Sequence, residues 1–354
     1  MIPAPDPDTR AQARDRLGRL AKPVGALGAL EDIAVWCAGV QGRCPPEPFR
    51  AVRVVVIAGD HGVATMAATS AYSSEVTAQM VATMVSGGAA VNVLARDVMA
   101  SVQVVDASVD SDYPGLTIPA TITQRRIRRA SGSIDRENAL TAEQTSAALD
   151  LGRALAEEQR QAGADLLIVG DMGIGNTTPA AALIAALGDE DPVSVTGRGT
   201  GIDDATWMRK VAAVRDALWR SRELRSDPSA VLETIGGADL AVMAGLLGGC
   251  AQRGIPVLLD GVVVTAAALV ADRMDPGARE WWWAGHRSAE PAHSIALAAL
   301  ELTPVLDLEM RLGEGTGALT ALPVVNAAAA LLGTMATLEA AGISSPDDQF
   351  IGQE

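Results

Sequence analysis

Blocks of apolar, β-branched residues alternate along the centre of the chain with stretches whose apolar positions return every three or four residues. The blocks are Val52–Ala58, Val102–Asp106, Leu166–Val169, Val193–Thr196, Pro256–Leu259 and Pro304–Leu308. Most are short and apolar at successive positions, the pattern of strands covered on both faces. Helical periodicity predicts helices over Glu75–Leu94, Ala142–Ala162, Pro179–Leu187, Asp204–Arg220 and Val262–Ala271. Strand and helix in alternation predict a doubly wound parallel α/β sheet. Arg10–Gln41 and Asn326–Ala341 read as helical without strand partners. They predict a smaller helical domain built from both chain ends, residues 1–45 and 325–354, beside a large α/β domain over 46–324.

Glycine loops follow several predicted strands: Gly59-Asp60-His61-Gly62, Gly170-Asp171-Met172-Gly173, Gly197-Arg198-Gly199-Thr200-Gly201 and Asp260-Gly261. Ligands of doubly wound sheets bind beyond the carboxyl ends of the strands, where these loops fall. The segment DLLIVGDMGIGNTTPAAAL, Asp165 to Leu183, carries the strongest signal. An apolar run leads into Gly170, Gly173 and Gly175, then Asn176, Thr177 and Thr178, then Pro179 and an alanine-rich helix. Asn and Thr suit a helix N-cap, and Pro suits the first turn. Glycine admits close backbone approach, and free N–H groups at a helix start favour an anion, usually phosphate. A strand-to-helix turn that binds nothing has the same composition, so the segment alone leaves both readings open. It lacks the Gly-Lys-Ser/Thr of a P-loop. Gly173-x-Gly175-x-x-Thr178 matches the dinucleotide fingerprint only in part. A plain nucleoside triphosphatase or a dehydrogenase is therefore not favoured.

Composition narrows the classes further. Among 354 residues, 43 acidic and 28 basic side chains give a formal charge of −15, which argues against a nucleic-acid partner. The single basic run, Arg125 to Arg129, reads as a solvated loop or strand edge. Cys37, Cys44 and Cys250 with His61, His286 and His293 have no metal-ligand spacing, so neither a zinc site nor a disulfide framework is expected. The N-terminal residues MIPAPDPDTRAQARDR carry no apolar signal core. The longest uncharged stretch, Gly315 to Leu338, contains Pro323, Asn326 and many small residues and reads as buried protein, not a membrane span. A reduced, cytoplasmic protein with no metal and no membrane span is the expectation.

Taken together, the loops resemble a known family. The segments are LAKPVGALGALEDIA (Leu20–Ala34), GDHGV (Gly59–Val63), SGGAAVNVLA (Ser86–Ala95), GDMGIGNTTPAAAL (Gly170–Leu183), GRGTGIDD (Gly197–Asp204), GGADLAVMAG (Gly236–Gly245), LLDGVVVTAAAL (Leu258–Leu269), GHRSAEPAH (Gly285–His293) and LDLEMRLGEGTGA (Leu306–Ala318). In this order, over nearly the whole chain, they resemble the nicotinate-nucleotide–dimethylbenzimidazole phosphoribosyltransferases of cobalamin assembly. The resemblance implies a Rossmann-like sheet with a small helical domain, a homodimer, and no cofactor. It implies transfer of phosphoribose from nicotinate mononucleotide to 5,6-dimethylbenzimidazole, giving α-ribazole 5′-phosphate and nicotinate.

That chemistry explains the sparse inventory of reactive side chains. The pyridinium leaves as a neutral ring, so neither a general acid nor a metal is required. The entering benzimidazole attacks the anomeric carbon through one nitrogen and must lose the proton on the other, so one carboxylate base suffices. The resemblance places Glu314 in this role, within Arg311-Leu-Gly-Glu-Gly-Thr-Gly317. It assigns the phosphate and nucleotide to Asp171, Gly175, Asn176, Thr177, Thr178, Gly199, Lys210 and Ser288. It assigns the base to Tyr72, Gln79, Met172 and Leu312, an aromatic contact with apolar walls. His286 is expected to be structural, and the Trp281–Trp283 run has no assigned role. Asp171 stands where many relatives carry Glu, Ala71 where they carry Ser, and Ala289 where some carry Gly; these changes bear on base selectivity. Two alternatives remain: the same transfer to adenine, another benzimidazole or a phenol, and a nucleotide-binding regulator without turnover. The intact Glu314 loop speaks against the second.

Overall fold

The computed structural model describes residues 2–344. Its contacts divide the described chain into two compact units, residues 2–3 with 50–321 and residues 4–49 with 322–344. Residues 345–354, placed in the smaller domain from sequence, lie outside the described residues.

The larger unit is built on one six-stranded sheet, with β1 (Val52–Gly59), β2 (Ser101–Ser108), β3 (Leu166–Met172), β4 (Val257–Leu259), β5 (Trp282–His286) and β6 (Pro304–Leu306). The strand order is β2-β1-β3-β4-β5-β6 and every pairing is parallel. Val54 pairs with Val102 on one side and Ile168 on the other, inside a core where nearly every β1 and β3 residue is buried. The order reverses direction between β1 and β3, which makes that crevice the switch point where a ligand is expected.

Helices cover both faces, and their starts follow the local chemistry. Thr141 and Gln144 form a reciprocal cap on Ala142–Gln161, Asp203 caps Asp204–Ser221, and Asp227 caps Pro228–Ile235. Ala142–Gln161 crosses the buried Ala238–Gln252 helix at glycines. A Cβ on Gly152 would lie 2.2 Å from the Val242 carbonyl oxygen, and one on Gly245 would lie 2.2 Å from the Leu149 carbonyl oxygen. The backbones could not approach this closely with any larger residue there.

Several expectations are corrected. Val193–Thr196 is not a strand: Pro192–Val195 is a helical turn, because Pro192 begins it and the Asp191 carboxylate accepts from Val193 N. Glu75–Leu94 is two helices, Glu75–Val85 and Ala90–Asp97, separated at Gly87 with φ +81°. The tryptophan run enters the sheet, with Trp282 and Trp283 paired to Val257 and Leu258. Gly170 and Asp171 belong to β3 and not to the loop after it. The helices Pro228–Ile235, Ala238–Gln252 and Pro291–Ala299 were not anticipated.

In the smaller unit, helices Pro7–Arg19 and Ala29–Gln41 pack together, and Thr9 Oγ1 donates to the Ala38 carbonyl at 3.3 Å. Arg16 donates to the carbonyls of Leu332 and Gly333, and Asn326 exchanges hydrogen bonds with the Phe49 backbone. Both chain ends therefore share one packing unit. Two stretches, Glu75–Asp97 and Thr316–Thr334, are long and apolar enough to cross a membrane by length and composition. The first is broken at Gly87, and the second is more than half buried and contains Pro323.

Candidate active site

A cavity of about 670 Å³ opens beyond the carboxyl ends of β3, β4 and β5. That volume suits a small-molecule ligand. Thr69, Tyr72, Val76 and Met80, from the segment that follows β1, form a further wall, so the cavity reaches the β1/β3 crevice where the strand order predicts a site.

Part of its wall gathers hydrogen-bond donors. β3 ends at Met172, and the chain turns through Gly173 and Gly175 into the helix Thr177–Gly188. The Asn176 side chain does not cap this helix; its Nδ2 donates to Asp171 Oδ2 at 2.6 Å. N–H groups at a helix start lack partners within their helix, and the start of this one, Gly175 to Thr177, lines the cavity. The buried ammonium of Lys210 donates to Thr177 Oγ1 at 2.8 Å and to the Gly197 carbonyl at 3.1 Å. Burial pulls Lys210 down to about 8, opposed by the nearby charge of Glu290. Glu290 also holds the second glycine loop by accepting from Gly199 N at 2.9 Å. Arg311 donates to the Gly199 carbonyl at 2.9 Å, and Arg198 pairs with Asp204; both guanidinium groups line the cavity.

Another part holds carboxyls. Glu314 sits in a turn where Gly313, Glu314 and Gly315 have φ of +84°, +62° and +85°. A glutamate in the left-handed region is strained, and such residues cluster at functional sites. Glu314 N donates to the Asp171 carbonyl at 3.0 Å. Gly170 leaves the room for this approach, since a Cβ there would lie 2.4 Å from the Glu314 carbonyl carbon. Glu314 Oε2 is buried without a hydrogen-bond partner. Burial raises the Glu314 carboxyl above the ordinary glutamate value; a main-chain N–H at Val91 opposes this and the Asp260 charge adds to it. Asp171 is held well above the carboxylate range, first by burial and then by the charges of Asp260, Asp239 and Glu314, against the bond from Asn176.

Of the residues singled out from sequence, Glu314, Asp171, Gly175, Asn176, Thr177, Gly199, Lys210, Ser288, Tyr72, Met172 and Leu312 line this one cavity. Two do not. Thr178 is buried beneath it, with Oγ1 3.5 Å from Thr69 Oγ1, because the helix rotates it toward the core. Gln79 is exposed and lies outside the lining. Val76, about one helical turn earlier, and Met80, the next residue, line the cavity instead. Tyr72 and Leu312 stand more than half exposed at the mouth. His286 also lines the cavity. Sequence reasoning missed Arg198, Arg311 and Glu290 as wall residues, although all three lie inside segments quoted for the resemblance. Among the described residues, no group of three or more His, Cys, Asp or Glu side chains is arranged to hold a metal.

By fold and site this is a doubly wound α/β protein whose cavity sets glycine loops and a buried lysine beside buried carboxyls. A family model described as Phosphoribosyltransferase matches residues 2–343. A relative from Mycolicibacterium paratuberculosis, named nicotinate-nucleotide–dimethylbenzimidazole phosphoribosyltransferase, is 59% identical over 345 residues, 98% of this chain and 97% of that protein. One from Mycobacterium tuberculosis with the same name is 57% identical, over 97% of this chain and 94% of that protein. The crystal structure of CobT from Thermus thermophilus superposes with a TM-score of 0.89 at 44% identity, over 96% of this chain and 99% of that one. The chain belongs to this phosphoribosyltransferase family and is a transferase.

Proposed function

We propose that this transferase moves phosphoribose from nicotinate mononucleotide to 5,6-dimethylbenzimidazole, releasing nicotinate and forming α-ribazole 5′-phosphate for the nucleotide loop of cobalamin. The relatives' shared name supports the pair of substrates. The single observation that carries the mechanism is the buried, unpartnered Glu314 oxygen in the same cavity as the Thr177 helix start.

In this reading the phosphate sits against the N–H groups from Gly175 to Thr177, with Lys210 beside it. Ser288 and Asp171 meet the ribose and nicotinate side. Tyr72, Met172 and Leu312 bound the flat acceptor. One acceptor nitrogen bonds to the anomeric carbon as the bond to nicotinate breaks. The other gives its proton to Glu314, which turns from carboxylate to acid. The ring departs neutral, so the charge balances without a metal or cofactor. The active protein is a homodimer in the cytoplasm, and sedimentation reads the first of these directly.

The test is an acceptor panel with nicotinate mononucleotide as donor, following free nicotinate and the new nucleotide. Dimethylbenzimidazole as a productive acceptor supports the reading. Turnover with adenine, another benzimidazole or a phenol alone moves the substrate assignment. Donor binding with no release on any acceptor overturns catalysis.

A further inference from the structure

A buried acid beneath the site takes no part in the transfer as just described. Asp260 follows β4 and is fully buried. It does not line the cavity, yet its oxygens accept from Gly315 N at 3.1 Å and Ala318 N at 3.0 Å. Those N–H groups stand just after Glu314 and in the first turn of the helix Thr316–Thr334. We infer that Asp260 is a positioning residue for the transfer: it clamps the backbone that aims Glu314 into the cavity and sets the charge environment of that carboxyl. The inference rests on Glu314 being the base.

Two physical arguments carry it. Three successive left-handed residues, the middle one a glutamate, form a costly turn that persists only where its surroundings over-determine it. Here Asp171 holds Glu314 N from one side, and Asp260 holds Gly315 N from the other. A carboxylate at the N-terminus of a helix is also favoured by the unsatisfied N–H groups and the helix dipole. A single side chain therefore fixes both the turn and the helix leaving it.

The wall behind Asp260 is built to match. His286 Nε2 lies 3.5 Å from Asp260 Oδ1, and the ring occupies the space a side chain at position 317 would need. A Cβ on Gly317 would lie 2.1 Å from His286 Cδ2. Burial raises the Asp260 carboxyl above the ordinary aspartate value, and the adjacent His286 and the main-chain N–H groups of Ala318, Gly315 and Gly317 oppose that rise. The other titratable groups around the turn are Asp171 at the end of β3 and, behind it, Asp239 at the start of Ala238–Gln252, which is paired with His61 at 3.1 Å. Helix Ala90–Asp97 contributes only a main-chain N–H, from Val91. Asp260 is the acid among these that touches both the turn and the helix start.

Asp260→Asn keeps the volume and one acceptor, removes the charge, and turns a donor toward one of the clamped N–H groups. We expect a folded protein whose KM for nicotinate mononucleotide stays within about threefold while kcat falls on the order of 10²-fold, the usual cost of a misaimed reactive group. The acid limb of the kcat–pH profile moves to lower pH, because the like charge beside Glu314 is gone. Unchanged kcat, or a loss confined to KM with the limb in place, overturns the inference. Should the variant not fold, carboxyl NMR of the unaltered protein decides. Asp260 must be ionised through the pH range in which kcat rises, and an Asp260 protonated throughout that range overturns the role. Glu314→Gln is assayed alongside. Near-normal turnover in that variant sinks the base itself, whereas an inactive Glu314→Gln beside a normal Asp260→Asn sinks only this inference.

Discussion

Lys210 shows how one side chain can set a substrate's working range. Its four-carbon stem is buried in a helix otherwise exposed on its outer face, and its ammonium ends between the two glycine loops. Desolvation disfavours the cation, so its pKa falls to about 8. The charge is complete below that value and is lost as pH rises through it. Binding of the mononucleotide phosphate should therefore weaken above about pH 8, seen as a rise in KM with little change in kcat. Lys210→Met should remove that alkaline limb and raise KM by about 10–100-fold at neutral pH, the worth of a charge-assisted hydrogen bond. Initial rates across pH check both. The sign for Glu314 is opposite. A raised carboxyl is a base only above its pKa, so kcat should fall on the acid side at a higher pH than an ordinary glutamate would give.

At the scale of elements, the sheet's position depends on a tight helix crossing. Ala142–Gln161 can lie on Ala238–Gln252 only because Gly152 and Gly245 leave backbone facing backbone. Gly152→Ala should cost about 1–3 kcal/mol by overpacking and lower the melting temperature, with KM unchanged in the surviving fold. Calorimetry beside kinetics tests this. The same elements show what was legible in the sequence. β1 and β3 announced themselves because both faces are covered and their residues are apolar throughout. β5 did not, since Trp282-Trp283-Ala284-Gly285-His286 mixes bulky aromatics with glycine and looks like a loop. Ala238–Gln252 is buried on every side, so its sequence has no polar face and no helical period to find. The glycine loops and Glu314 were readable as motifs. Asp260, Glu290 and Arg311 act through partners 55, 91 and 112 positions away, a relation no local pattern contains. Thr178 and Gln79 stand outside the cavity lining, and a loop or helix start gives no sign in the sequence of which way each successive side chain rotates.

Across the whole larger unit, the strand order brings the ends of β3, β4 and β5 to one cavity. The chain carries a formal charge of −15, yet that cavity collects Lys210, Arg198 and Arg311. In the proposed reading, local donors and not the overall charge hold the phosphate in an acidic protein. Glu314, with its unpartnered buried oxygen, lines the same cavity. The central claim of the proposed mechanism is a division of labour within one cavity: the donor is held by the Gly175–Thr177 loop and Lys210, and the acceptor's proton is removed by Glu314. The most direct measurement compares Glu314→Gln with the unaltered protein in two readouts, equilibrium binding of nicotinate mononucleotide and single-turnover release of nicotinate with dimethylbenzimidazole. The account predicts binding within about threefold and release slowed on the order of 10²–10⁴-fold, the usual worth of a general base. Release at an undiminished rate, or donor binding lost together with release, would contradict it.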